Sequence, residues 1–171
     1  IGGLFGSALL WQTAPTVAED TKPSDDGFVS IFDGKTLAGW KVSAKTGHSG
    51  PSKNPSGGKW EVVDGAITGT QDIIGNGGIV ITEKEYGDFV LEAEWRALVP
   101  QYDSGFFIRC PKDGKPWPTD GWQVNLSYNK LGGLARGYKD VAPSETDRAP
   151  VGKWVKFRIE ARGRKCTLIV D

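Results

Sequence analysis

The chain has 171 residues, with 21 Lys and Arg against 21 Asp and Glu. That length suits one domain with a real core, burying ~70% of the surface its unfolded chain would expose. Balanced charge supplies no strong field for nucleic acid or an anionic membrane, so nucleic acid is not an expected partner.

Residues 1–11, IGGLFGSALLW, are small and apolar, and the polar QTAPTVAEDTKPSDD follows them. This order reads as the back half of a secretory leader, with cleavage expected after Ala14 or Ala18. The apolar run is too short to span a bilayer. There is no Met in the chain, so its charged start is expected to lie upstream. Residues 1–25 are therefore set apart as leader and linker, and one domain is expected over 26–171. The expected location is secreted or periplasmic, with the leader as a membrane anchor in a lipoprotein-type alternative.

From there on, 24 Gly and 10 Pro in the whole chain punctuate short apolar runs. Strands are expected at FVSIF (28–32), GKWEVV (58–63), AITGTQ (66–71), GGIVIT (77–82), DFVLEAEWRAL (88–98), SGFFIRC (104–110), GWQVNLS (121–127), KWVKFRIEA (153–161) and KCTLIVD (165–171). Asp64-Gly65 between two alternating runs is a tight hairpin signal. Asp33-Gly34-Lys35 is a turn signal with Trp40 packing under it. GNGG at 75–78 lacks the Lys-Ser/Thr and the helix of a phosphate loop and reads as a turn. No stretch has a convincing helical period. The fold expected is all-β, a jelly-roll sandwich of two antiparallel sheets. Two polar loops, 43–57 and 138–152, are long enough to suggest function. A strand running to Asp171 predicts truncation at that end. Cys110 and Cys166 read as small buried hydrophobes, and their pairing is open.

Candidate chemistry begins on the fifth of these runs. Alternation puts Phe89, Leu91, Ala93, Trp95 and Ala97 on one side and Val90, Glu92, Glu94, Arg96 and Leu98 on the other. In SGFFIRC it sets Phe107 and Arg109 against Phe106 and Ile108. In GWQVNLSY it sets Gln123 and Asn125 against Trp122, Val124 and Leu126. If these strands are sheet neighbours, one face collects Glu92, Glu94, Arg96, Phe107, Arg109, Gln123 and Asn125. Solvated charges on a sheet face are the plain alternative. Amides, guanidinium forks and an aromatic ring together suit a surface that hydrogen-bonds a polyol and stacks a ring. Glu92 and Glu94 lie ~7 Å apart on one side of a strand, whereas glycosidase carboxylates must flank their substrate. His48, the only histidine, sits in a polar loop, either solvated or reaching over a groove as a proton carrier.

Five blocks carry a resemblance: FVSIFDGKTLAGW (28–40), KWEVVDGAITGT (59–70), GGIVITEKEYGDFVLEAEWR (77–96), DSGFFIRC (103–110) and PVGKWVKFRIEARGRKCTLIVD (150–171). In this order they resemble the 3-keto-disaccharide hydrolase domain family over residues 28–171, and GWQVNL is similar to its planctomycete-type variant. The resemblance implies a concanavalin A-like lectin or glucanase fold in an exported protein. Two departures stand out. Many members carry Glu-Val-Gln followed by Asp where this chain has Gln123-Val124-Asn125 and then Tyr128. Family segments beyond the last strand are also missing.

The implied substrate is a glycoside oxidised at C3, whose ketone acidifies the C2 proton. A base removes that proton, an enolate forms, and the C1 substituent leaves. Glu94 is the first candidate base and His48 the second. Arg109 and Arg96 would hold the ketone and its developing charge. Glu92, Gln123 and Asn125 would bind the sugar, with Phe107 as a stacking ring. No cofactor is expected, because the sugar is already ketonic. Calcium occurs in lectin-like folds, but there is no acidic ligand loop and no metal ligand is assigned. The rival function is a carbohydrate-binding module without turnover, which the Gln123 and Asn125 replacements favour. The oligomeric state is not legible.

Overall fold

The computed structural model describes residues 27–43, 50–110, 121–137, 139–144 and 150–171. The expected leader and His48 lie outside the described residues. Among the described residues there are eleven strands and no helix. They are Trp40–Val42 (β1), Gly58–Val63 (β2), Ala66–Gln71 (β3), Val80–Thr82 (β4), Phe89–Arg96 (β5), Gly105–Ile108 (β6), Trp122–Asn125 (β7), Leu134–Arg136 (β8), Lys139–Ala142 (β9), Trp154–Arg162 (β10) and Lys165–Val170 (β11).

Every pairing is antiparallel. β11, β10 and β5 form one sheet in that order, and β6, β7, β8 and β9 form another. β2 pairs with β3 and β1 with β4. Asp64 and Gly65 both have positive φ, 50° and 76°. That is the backbone of a type I′ turn, whose twist matches the strands it joins. The hairpin register closes Val63 on Ala66, as the Asp-Gly signal predicts.

The two larger sheets face each other across the core. Phe106 of β6 and Phe157 of β10 meet edge to face, ring centroids 5.6 Å apart. Val124 and Ile159 are fully buried, one from each layer, in a common cluster with Ile108 and Ala161. A second cluster joins Leu126 and Leu131 from one layer to Val155 and Phe157 from the other. Burying a side chain of this size contributes ~1.5–3 kcal/mol, so these few residues set the spacing of the layers. The all-β sandwich of antiparallel sheets expected from alternation is the fold of this chain.

Residues 28–32 do not form the expected strand. Their polar groups are satisfied locally: Ser30 Oγ donates to the Phe32 carbonyl at 2.6 Å, and Trp40 Nε1 donates to the Ile31 carbonyl at 2.7 Å. Such bonds compete with a ladder. The Asp33 turn is present. Asp33 Oδ1 accepts from the Lys35 and Thr36 amides at 2.8 and 2.7 Å, and Oδ2 accepts from Thr36 Oγ1 at 2.6 Å. The GGIVIT run shortens to Val80–Thr82. Gly78 ahead of it lies so close to Ser56 that a Cβ would come within 2.6 Å of its backbone oxygen. β1, β8 and β9 were not expected; each has three or four residues, too few for alternation to register.

Candidate functional site

The polar stripe of β5 lies on the solvent side of its sheet. β10 pairs with it so that Glu92 faces Arg158, Glu94 faces Lys156, and Arg96 faces Trp154. Directly opposed residues hold their Cβ atoms ~4.5–5.5 Å apart, so the stripe is one half of a charged surface. Arg158 ion-pairs with Glu92 and, through Nε, with Glu160 Oε1 at 3.0 Å. The Glu160 hydrogen bond, then the Glu92 one, push the Arg158 guanidinium above its usual range. Glu94 has no hydrogen bond or ion pair among the described residues. The Arg96 guanidinium stacks on Trp154, 4.6 Å from the ring centroid, a cation–π contact. Arg96 Nε is buried without a hydrogen-bond partner among the described residues. An open depression of about 520 Å³ lies on this surface, with Glu92, Glu94, Lys156, Arg158 and Asp171 along it.

Phe107, Gln123 and Asn125 form a second polar surface. Phe107 faces Gln123 and Gly105 faces Asn125 in the β6–β7 register. Gln123 Nε2 donates to the Ser104 carbonyl at 3.2 Å. The Gln123 side chain lies flat across Gly105, where a Cβ would come within 2.4 Å of Nε2. Beyond β7, Lys130 Nζ ion-pairs with Asp140 Oδ2 at 2.8 Å. The Asp140 hydrogen bond is the main cause that raises the Lys130 ammonium pKa, and the Asp103 charge adds to it. Ser127 Oγ donates to Asn129 Oδ1 at 3.1 Å. A smaller depression of about 110 Å³ is lined by Asn125, Asn129, Lys130, Asp140 and Ser144.

These two surfaces are on opposite sides of the molecule. The expectation that Glu92, Glu94, Arg96, Phe107, Arg109, Gln123 and Asn125 share one face is therefore corrected. It required β5, β6 and β7 to be sheet neighbours. β5 pairs with β10, while β6 and β7 lie in the other layer. In a sandwich both layers turn their apolar sets inward, so their polar sets point apart. One group keeps Glu92, Glu94 and Arg96; the other keeps Phe107, Gln123 and Asn125.

Arg109 belongs to neither. Its φ of 56° breaks the alternation at the end of β6. Its guanidinium turns to the sandwich edge and donates to Asp88 Oδ1 at 2.8 Å. The same oxygen accepts the Gly163 amide of the β10–β11 turn at 2.8 Å. The Arg109 hydrogen bond, then that of Gly163, hold the Asp88 carboxyl below the usual carboxylate range.

Several site residues were missed by sequence reasoning. Trp154, Lys156 and Arg158 stand on an expected strand, and its own alternation separates them from Val155, Phe157 and Ile159. The missing signal was pairing partner, not periodicity. Lys130 and Asp140 lie in a turn and a short strand with no pattern to mark them. Cys110 and Cys166 are free and half-buried. Burial pushes the Cys110 thiol up to about 11, which makes it a poor nucleophile. Among the described residues no group of three or more His, Cys, Asp and Glu is arranged to hold a metal ion.

A two-layer antiparallel sandwich with a polar, cleft-bearing outer surface is an architecture shared with lectin domains. The chain belongs to the 3-keto-alpha-glucoside-1,2-lyase-like domain family, whose description matches residues 27–171. It is 37% identical over 76 residues to a 3-keto-disaccharide hydrolase of Bacteroides thetaiotaomicron, a match covering 42% of this chain and 23% of that protein. The match thus spans about a quarter of that relative's length. A solved structure from Parabacteroides distasonis, of a protein assigned to the glycosyl hydrolases, superposes with a TM-score of 0.60 at 19% identity. That likeness covers 89% of this chain and 73% of the other, and it concerns the fold.

Proposed function

We propose that this protein cleaves 3-keto-glycosides by abstracting the C2 proton, with Glu94 as the base, on the outer face of the β5–β10–β11 sheet. The family and the relative's name support the substrate class. The observation that carries the assignment to this face is a carboxylate without an ion pair among the described residues, set among Arg96, Lys156 and Arg158.

The ketone at C3 makes the C2 proton acidic. Glu94 takes that proton, and the C2–H electrons move into an enolate over C2, C3 and the ketone oxygen. The C1–O bond then breaks, the leaving oxygen takes a proton, and a C1–C2 double bond remains in conjugation with the ketone. Water adding at C1 returns the free 3-keto sugar. No oxidant or reductant is consumed. Lys156, opposite Glu94, and Arg96, two residues along, supply positive charge for the enolate oxygen. Glu92 is held by Arg158, so it is a binding carboxylate rather than a second base. The exposed ring of Trp154 offers an apolar surface for a sugar face. We also propose export, from the leader-like residues 1–25.

The test is release of free sugar from a 3-keto-disaccharide beside its unoxidised parent. Cleavage of the ketone alone, lowered ~10²–10⁴-fold by Glu94→Gln, supports the reading. Equal cleavage of both sugars, or none of either, overturns it.

A further inference from the structure

We propose that Asn76 and Gly77 are a site of self-modification: they close on each other into a cyclic imide, a succinimide, which pins the 72–78 loop against residues 52–58. The inference is independent of the elimination reading, since none of these residues belongs to the β5–β10–β11 sheet.

The chain has four asparagines, and Asn76 is the one followed by glycine. It stands in the GNGG run, where its backbone amide donates to the Ile73 carbonyl at 3.1 Å and Gly75 takes a φ of 85°. Side chains fasten the start of this loop. Asp72 Oδ2 accepts from Ser52 Oγ at 3.0 Å and from the Lys53 amide at 2.9 Å, and Gln71 Oε1 accepts from the Gly75 amide at 3.3 Å. Packing fastens its end. A Cβ at Gly78 would come within 2.6 Å of the Ser56 carbonyl oxygen and 3.0 Å of the Gly58 nitrogen.

Two donors inside the fastened loop are left over. Asn76 is 7% exposed, and its Nδ2 is buried without a hydrogen-bond partner. The Gly77 amide likewise donates no hydrogen bond among the described residues. A buried donor without a partner costs free energy, and folded chains rarely keep one. These two nitrogens are the leaving group and the nucleophile of one reaction. The Gly77 nitrogen, with no side chain beside it, can approach Asn76 Cγ closely. An N–Cγ bond forms, the Cγ–Nδ2 bond breaks, and Nδ2 leaves as ammonia with the proton from the Gly77 nitrogen. No oxidant or reductant is consumed. Both unpaired donors disappear in this step, so the fold favours closure where a hydrogen-bonded asparagine would resist it.

The same burial preserves the product. In an open chain, water soon hydrolyses the imide to aspartate or isoaspartate. Here opening would leave a carboxylate at a buried position, which desolvation opposes. Opening at the main-chain carbonyl would also insert an extra carbon ahead of Gly78, where Ser56 leaves no space. The closed ring is neutral, carries no donor and fixes the Asn76 ψ angle.

The test incubates the full chain warm at neutral pH for several weeks, beside a denatured sample, and maps both by mass spectrometry after digestion in mild acid. The folded chain should lose one ammonia, located in the peptide that holds residues 76 and 77, and the ring should react with hydroxylamine. The denatured chain should instead show the mass of aspartate in place of asparagine. Asn76→Gln, folded by circular dichroism, should keep its mass, because its side chain would have to close a six-membered ring. Hydrogen exchange of the 72–78 amides should slow in the closed form. The proposal is overturned if the folded chain keeps Asn76 intact, if it yields aspartate or isoaspartate without the imide, or if Asn76→Gln loses ammonia equally. Unchanged exchange in the closed form would overturn the pinning. Sugar cleavage can be present or absent without changing any of these outcomes.

Discussion

Arg109 and Asp88 tie the two layers of the sandwich together at one edge. The 2.8 Å bond runs from the end of β6 to the residue before β5, and Asp88 also takes the Gly163 amide of the β10–β11 turn. Asp88 has a depressed pKa in the fold, so its stabilisation is present above the unfolded carboxylate pKa and is lost as pH falls through the folded value. Arg109→Met should return the Asp88 midpoint towards the ordinary range. It should also shrink the difference between unfolding midpoints measured near pH 7 and about pH 3. An unchanged Asp88 titration would show that Gly163 alone sets it.

Asp33 gives a cleaner titration. Its carboxyl is lowered to about 2, first by the Thr36 hydroxyl and then by the Thr36 and Lys35 amides. The turn should be intact above the ordinary Asp pKa and loosen as pH falls towards about 2. A carboxyl ¹³C titration should find that midpoint, and Thr36→Val should move it upwards. A midpoint near the unperturbed value would mean that the turn is not closed in solution.

The layers are held by a few buried side chains, and truncating them should be costly. Phe157→Ala removes the ring that meets Phe106 and should cost ~3–5 kcal/mol in denaturant unfolding. Ile169, on the outer face of β11 and 45% exposed, should tolerate Ala within ~0.5 kcal/mol. Similar losses at both positions would contradict the assignment of inner and outer faces.

Gly105 and Gln123 should behave as a coupled pair. A Cβ at 105 would come within 2.4 Å of Gln123 Nε2 and 2.6 Å of its Cγ. Gly105→Ala should therefore cost ~1–3 kcal/mol by overpacking. Adding Gln123→Ala should recover much of that loss, giving a non-additive double-mutant cycle. Additive losses would show that Gln123 does not lie across the glycine.

Alternation read the interior well and the arrangement of layers poorly. Phe89, Leu91, Val124, Phe157 and Ile159 face the core because a strand has a period of two, a property of one segment at a time. Whether Glu94 and Gln123 share a face depends on which strands pair, and no single segment encodes that. The same strand that supplies Phe157 to the core also supplies Lys156 and Arg158 to Glu94 and Glu92, across 62 and 66 residues of chain. The family resemblance fixed the fold class but left the pairing of the polar stripes unread. Arg109 failed for a local reason: one positive φ rotates its side chain out of the alternation that precedes it. Residues 28–32 had the composition of a strand, but Ser30 and Trp40 offered their backbone other partners.

The most direct measurement is exchange of the C2 hydrogen of a 3-keto-glucoside in deuterium oxide, followed by NMR. The native chain should catalyse loss of the C2 proton signal before or along with glycoside cleavage. Glu94→Gln, folded by circular dichroism, should abolish that catalysis, while Gln123→Ala on the other face should retain it. Exchange that survives Glu94→Gln and vanishes in Gln123→Ala would place the chemistry on the β6–β7 face and contradict the assignment made here.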